Sequence, residues 1–310
     1  MKTNTLTLAG HDGQPFFVRG WSPESKPKAV VQLAHGMAEH TGRYQWFAER
    51  LAAAGYALYA DDHRGHGETA ELNGLPLGHT GVDSGWEAII KDGYVLNRHI
   101  AAQHPGLPIV YIGHSMGSHI GQTFAQRYGD HICGLLLCGS TGKVGPLRWV
   151  LKLIAQVERM RIGASGRSPI LRKVSFEEFN KPFQPSRTPA DWLSRDEAQV
   201  DSYNRDPWCG YTCSTQFWMG FVDGLSHNES DKNFRNVPKD LPIRLITGGA
   251  DTSNKGEVGV RSLEKRYLFA GVKDVEVQIY PDARHELFNE TNRDEVLDDT
   301  IAWLDKVTGS

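Results

Sequence analysis

Short apolar runs recur along the chain, separated by longer stretches in which apolar residues return every three or four positions. The runs AVVQLAH (29–35), YALYA (56–60), PIVYIGH (108–114), GLLLCGS (134–140), PIRLITGG (242–249) and VEVQIYP (275–281) read as strands buried on both faces. Between them RYQWFAERLAAAG (43–55), WEAIIKDGYVLNRHIAAQHP (86–105) and SHIGQTFAQRYGD (118–130) have helical spacing, the first and third closing on Gly and the second on Pro. Strand and helix in alternation predict an α/β fold: a mostly parallel central sheet with helices on both sides.

The rhythm breaks between about 141 and 236, where no clean buried strand occurs and the composition turns to Trp, Arg, Phe and Pro. It resumes at Leu241 and runs to an amphipathic helix, DEVLDDTIAWLDKV (294–307). The expected organisation is a core of residues 1–140 and 237–310, interrupted by a mainly helical insertion over 141–236. Neither a solenoid-length repeat nor a low-complexity tract is visible.

Composition narrows the function. With 310 residues, 39% of them apolar and 23% charged, a sizeable core is assured, and a net charge of -3 removes the basic field that nucleic-acid binding needs. Cys133, Cys138, Cys209 and Cys213 form no paired CxxC clusters and are expected as reduced, mostly buried thiols. The opening MKTNTLTLAGHDGQPFF lacks the apolar core of a signal peptide, and no stretch approaches the roughly 18 apolar residues of a membrane span. A cytoplasmic protein is expected.

The strongest chemical signal is Gly113-His114-Ser115-Met116-Gly117, placed directly after the run LPIVYI and before a helical pattern. As a string GxSxG is weak. In this context it describes a sharp strand-to-helix turn that exposes the serine oxygen and aims the following helix N-terminus, with the Met116 N–H, at the reaction centre. A serine hydroxyl needs a base, and the base needs a third group to fix its tautomer. In such an architecture the order is Ser, acid, His, each at the C-terminal end of a strand: Asp251 follows PIRLITGGA, and His285 follows VEVQIYPDAR. For Asp251 the alternative is a cap for the helix KGEVGVRSLEKRY, and for His285 an ordinary loop residue. Asp274 and Asp282, in or before the strand leading to His285, are less well placed rivals. After the strand AVVQLAH comes His35-Gly36-Met37-Ala38-Glu39-His40, whose Met37 N–H is the expected second oxyanion donor beside that of Met116. The histidines of this loop have no carboxylate companions at ligand spacing, so no metal is expected.

HGMAEHTGRYQWFAERLAAAGY, YADDHRGHGET, IGHSMGS and the late Asp and His together resemble the α/β-hydrolase family of monoacylglycerol lipases and bacterial lysophospholipases, grouped as serine aminopeptidase S33-like hydrolases. The resemblance spans almost the whole chain. It implies Ser115 as nucleophile, Asp251 and His285 completing a triad, the Met37 and Met116 N–H groups as oxyanion hole, and a lid inserted between the strand near Gly139 and the strand near Leu241. No cofactor is implied. The chain departs from the family after the acid, where a Pro-Val turn is usual and Thr252-Ser253-Asn254-Lys255-Gly256 stands instead. Asp62-His63-Arg64-Gly65-His66-Gly67 is shared and is expected to brace the site through hydrogen bonds.

From Lys143 to Lys173 there are eight basic residues and one acid, Glu158. Leu147, Val150, Leu151 and Ile154 share one helical face, with Arg148, Lys152 and Arg159 on another, so residues 146–160 read as a basic amphipathic helix. Two readings stay open: the apolar stripe covers the cleft under a solvated basic face, or the basic face docks on anionic membranes or captures an anionic substrate. Trp192, Trp208, Phe217, Trp218, Met219 and Phe221 suggest an acyl-chain pocket. Substrate contacts are expected from His35, Gly36, His114, Trp149, Trp192, Phe217 and Trp218.

The reading is a cofactor-free serine hydrolase of carboxylic esters, acting on a small-molecule ester or lipid through an acyl-enzyme. Two alternatives stand beside it. One is an aminopeptidase on the same triad, its substrate amine held by Glu177, Glu178 or Asp191; the other is a non-catalytic ligand receptor on the same scaffold.

Overall fold

A computed structural model describes residues 1–310. Its eight strands form one sheet in the order β1-β2-β4-β3-β5-β6-β7-β8. Six of them run parallel: β3 (Ala29–Ala34), β4 (Tyr56–Asp61), β5 (Ile109–His114), β6 (Gly134–Cys138), β7 (Ile243–Gly248) and β8 (Val275–Tyr280). The crossovers use α1 (Gln45–Ala53), α2 (Gly67–Leu72), α3 (Gly85–Gln103), α4 (Met116–Tyr128) and the helix Glu257–Phe269.

Alternate residues of each inner strand point to opposite faces, and both faces are covered. Ile109 and Tyr111 of β5 and Leu135 and Leu137 of β6 join one apolar cluster with Ile90, Leu96, Ile120, Phe124 and Leu263 of α3, α4 and Glu257–Phe269. Val110, Ile112, Leu136 and Cys138 join the other, with Phe47 and Leu51 of α1 and Trp303 and Leu304 of the helix Arg293–Thr308. Two-sided burial is the physical reason these strands carry unbroken apolar runs.

Two features differ from the sequence expectation. At the sheet edge β8 is half-buried from Val275 to Ile279, and Tyr280 alone is fully buried. At the opposite edge, β1 (Lys2–Ala9) and β2 (Pro15–Ser22) add an antiparallel hairpin whose second strand pairs antiparallel with β4. β1 is mostly exposed, and its polar sequence KTNTLTLA gives no buried-strand signal.

Between β6 and β7 the chain runs through α5 (Leu147–Ile162), short helical turns over 169–183, and the helices Glu197–Arg205 and Thr215–Asn228. Arg266 fastens both ends of this segment to the core by donating to the carbonyls of Gly142, Asn228 and Glu229. Of the apolar stripe expected on α5, Leu147 and Leu151 line the space next to the core and Ile154 packs against it, as the cleft-covering reading expects, while Val150 is exposed. Arg148, Lys152 and Arg159 pair with Glu229, Asp223 and Asp83, while Leu147, Trp149, Val150, Leu153, Val157 and Met160 are exposed. The basic residues are thus salt-bridged rather than free, and a second apolar set on α5, Trp149, Leu153, Val157 and Met160, faces water.

Candidate active site

Ser115 is the single residue between β5 and α4, with φ 53° and ψ −119°. A side-chain-bearing residue held there costs about 1–3 kcal/mol and persists only where the surroundings fix it. They do: the Ser115 N–H donates to Cys138 O at 2.9 Å, and its carbonyl accepts from the Ser118 N–H at 2.8 Å and the Ser118 hydroxyl at 2.6 Å. Close packing forbids a side chain at Gly117, where a Cβ would lie 2.0 Å from Ala34 O.

Asp251 and His285 stand in the loops after β7 and β8 and are both buried. His285 Nδ1 lies 2.8 Å from Asp251 Oδ2. The other carboxylate oxygen accepts from the Ser253 N–H at 2.9 Å and from its hydroxyl at 2.7 Å. Burial opposes charge on both groups, but each stabilises the ionised form of the other, so the net result is a lowered Asp251 and a raised His285. Nε2 of His285 has no hydrogen-bond partner within the protein. The imidazole fits because Gly139, at φ 65°, has no side chain; a Cβ there would be 3.0 Å from His285 Cε1. Burial, and then the neighbouring His285, push His114 down to about 4, so it stays neutral. Asp251 is not a helix cap, because Glu257–Phe269 starts after Gly256.

The Met116 N–H, at the first position of α4, lies ahead of the intrahelical ladder, and the Met37 N–H takes part in none of the loop hydrogen bonds. The loop carrying Met37 is fixed by a buried ionic cluster. Glu39 accepts from the Gly36 N–H, from the Tyr44 hydroxyl at 2.9 Å and from Arg43 at 2.7 Å. Arg43 then clasps Glu286 through two bonds of 2.6 Å. Burial disfavours the Glu286 charge, yet Arg43 holds its carboxyl well below the usual range. One guanidinium thus ties the loop after β3 to the residue next to His285.

These groups open into a cavity of about 200 Å³. Gly36, Met37, His114, Ser115, Met116, Trp192, Trp218 and His285 all line it. Three expected substrate contacts do not. His35 is buried between the Gly36 carbonyl and the His63 N–H and stacks on the His63 ring. Phe217 packs against His66. Trp149 is 55% exposed, under the Arg148 guanidinium on the outer face of α5. Apolar side chains from the insertion complete the walls: Leu147, Leu151, Phe176, Phe179, Phe221 and Leu225.

The Asp62–Gly67 stretch is a hydrogen-bond network outside the cavity. Asp62 accepts from the Thr41 and Glu68 N–H groups at 2.8 and 2.9 Å, and Arg64 joins Asp12 and Asp92. Two groups of metal-ligating type converge, His40 with Asp206 and Cys209, and His11 with Asp12 and Asp92. In the first, the Gly42 N–H donates to His40 Nδ1, so Nε2 carries the proton and donates to Asp206 at 2.9 Å; in the second, Arg64 takes the carboxylates. All four cysteines are free, two buried and two half-buried.

Residues 25–292 match the family described as serine aminopeptidase, S33. The chain belongs to that family. Within the S33 family's reach it is similar to a monoacylglycerol lipase of Mycolicibacterium smegmatis, 29% identical over 304 residues, covering 96% of this chain and 95% of that one. It is likewise similar to human monoglyceride lipase, 29% identical over 287 residues, covering 91% and 84% of the two chains. Among solved structures, a thermostable carboxyl esterase from Bacillus coagulans in complex with glycerol superposes with a TM-score of 0.90 at 28% identity, over 99% of each chain. The fold is that of an α/β-hydrolase. In this S33 chain the sequence pattern assigns no role to Arg43, Glu286 or Ser253. Closeness in sequence to His285 and Asp251 is the available signal for Glu286 and Ser253, but nothing local announces that Arg43 reaches a carboxylate 243 positions away.

Proposed function

We propose that the protein cleaves carboxylic esters of the monoacylglycerol or lysophospholipid kind through an acyl-enzyme. Ser115 is the nucleophile, His285 the general base, Asp251 the acid that orients it, and the Met37 and Met116 N–H groups the oxyanion hole. The observation that carries this reading is the buried Asp251–His285 pair, which leaves Nε2 unpartnered in the same cavity as the strained Ser115. His285 takes the Ser115 proton as the oxygen attacks the ester carbonyl, then gives it to the leaving alcohol; water repeats the cycle on the acyl-enzyme. An oxyanion donor of this kind is worth about 10²- to 10³-fold in turnover.

Residues 141–236 act as the lid over a core of 1–140 and 237–310. Trp192, Phe176 and Phe179 form one wall and Trp218, Phe221 and Leu225 another, a lining that suits an acyl chain. An ester is favoured over a peptide N-terminus because the cavity offers no unpaired carboxylate. Glu39 and Glu286 are held by Arg43, Asp191 is spent on the Arg187 and Thr188 N–H groups, and Glu177 and Glu178 are exposed away from the lining. The apolar outer face of α5 suits peripheral contact with a lipid surface, made by apolar insertion rather than by its paired basic residues. No helix is long and apolar enough to cross a membrane. A cytoplasmic location, with the cysteines reduced, belongs to this reading.

Rates across p-nitrophenyl esters of increasing chain length and a monoacylglycerol, run beside amino-acid anilides, test it. Ester turnover without anilide turnover is expected. Preferential anilide cleavage would favour the aminopeptidase reading, and no labelling of Ser115 by a fluorophosphonate would favour a receptor.

A further inference from the structure

The segment Thr252–Gly256, where the chain departs from the Pro-Val turn of its family, brings one more polar group to the imidazole. Ser253 Oγ lies 2.7 Å from Asp251 Oδ1 and 2.9 Å from His285 Nδ1. A hydroxyl has one proton to donate. The ionised carboxylate only accepts, so that proton belongs to Asp251, and toward Nδ1 the serine oxygen can only accept. The Nδ1–H is therefore shared between Asp251 Oδ2 and Ser253 Oγ, and both acceptors demand the same tautomer, with the proton on Nδ1 and the lone pair of Nε2 free. The loop that presents the hydroxyl is itself fixed: Asn254 Nδ2 donates to Ser140 O at 3.1 Å and Thr247 Oγ1 at 3.0 Å, and Thr252 Oγ1 donates to Phe179 O at 2.7 Å.

We infer that Ser253 is a positioning residue, a second acceptor that locks the His285 tautomer and stabilises the imidazolium formed during turnover. The inference rests on the esterase reading above only for its kinetic test. An acceptor on Nδ1–H interacts more strongly with the charged ring than with the neutral one. Its removal therefore weakens His285 as a base and makes the imidazolium easier to deprotonate. The other charged or titratable groups around His285 are Asp251, Glu39, Glu286 with its partner Arg43, His114 and His119, and none of them is altered by changing Ser253.

The test uses Ser253→Ala, Ser253→Cys, which keeps the shape but bonds weakly, and Ser253→Thr, which keeps the hydroxyl. With a short soluble ester, Ala and Cys are expected to lower kcat by about 10-fold with KM unchanged and to move the acid limb of the kcat/KM profile to lower pH, while Thr recovers most of the rate. The low-field proton resonance of the His285 Nδ1–H is expected to shift in Ala and Cys and to return in Thr. That resonance needs no substrate, so a protein inert toward esters but showing this pattern would refute the esterase reading and leave Ser253 in its role. Wild-type kcat, pH profile and resonance in Ser253→Ala would overturn the inference. So would a rise in the acid-limb pKa, a fully active Cys variant, or a Thr variant no better than Ala.

Discussion

Around His285 almost every polar atom is committed: Asp251 to the ring and to Ser253, Glu286 to Arg43, Arg43 to Glu39, and Glu39 to the loop that carries Met37. On the outer face of α5, Trp149, Leu153 and Met160 are 55%, 60% and 80% exposed. Buried, mutually paired groups resist displacement because each partner left alone would keep an uncompensated charge or hydrogen bond. Exposed apolar side chains on one helix have no such penalty for moving and gain by covering. The contrast is between a mutually braced cluster around His285 and an uncovered apolar face on α5.

The largest expected effect tests the braced cluster. Asp251→Asn should lower turnover by up to about 10⁴-fold through the wrong His285 tautomer, while Asp274→Asn and Asp282→Asn, away from the ring, leave it near normal. Steady-state rates of the three purified variants decide the assignment. Arg43→Met should come next: two buried carboxylates lose their shared cation, and stability should fall by about 3–5 kcal/mol, read from denaturant midpoints. A loss below about 1 kcal/mol, the range of an exposed pair, would show that the cluster does not hold the loops together.

On the uncovered face, replacing Trp149, Leu153 and Met160 together by Gln should weaken association with neutral lipid vesicles by about 10- to 100-fold and leave hydrolysis of a short soluble ester unchanged. Reversing Arg148, Lys152 and Arg159 to Glu should cost stability through broken pairs with Glu229, Asp223 and Asp83, and wild-type binding should show little preference for anionic vesicles. A strong, salt-sensitive anionic preference would restore the basic-face reading. The smallest effect is in pH. His285 must be neutral to act as base, and although burial alone would lower its pKa, Asp251 raises it above the ordinary imidazole value of 6.5. The kcat/KM profile should therefore fall on the acid side with a midpoint above that value; a midpoint below it would contradict the pairing.

What the chain reveals in advance follows the range of the interactions. Strands β3 to β7 are buried on both faces, so their runs are legible, as are helices closed by Gly or Pro. The hairpin β1–β2 is not, because an exposed edge leaves polar residues along most of β1. Ser115, Asp251 and His285 follow from local context, a turn or a strand end. His35, Trp149 and Phe217 illustrate the converse: each has suitable chemistry, but His63, the outward face of α5 and His66 decide where the side chain points. That Arg148, Lys152 and Arg159 pair with Glu229, Asp223 and Asp83 is announced by no local period.

If Ser115, in its strained turn, is the nucleophile of an ester hydrolase, its hydroxyl is indispensable to turnover. Ser115→Ala, compared with wild type for hydrolysis of a p-nitrophenyl ester and for the thermal unfolding midpoint, tests this most directly. A turnover loss of roughly 10³-fold or more with the fold intact is expected; near-normal turnover in a folded Ser115→Ala protein would exclude Ser115 as the nucleophile.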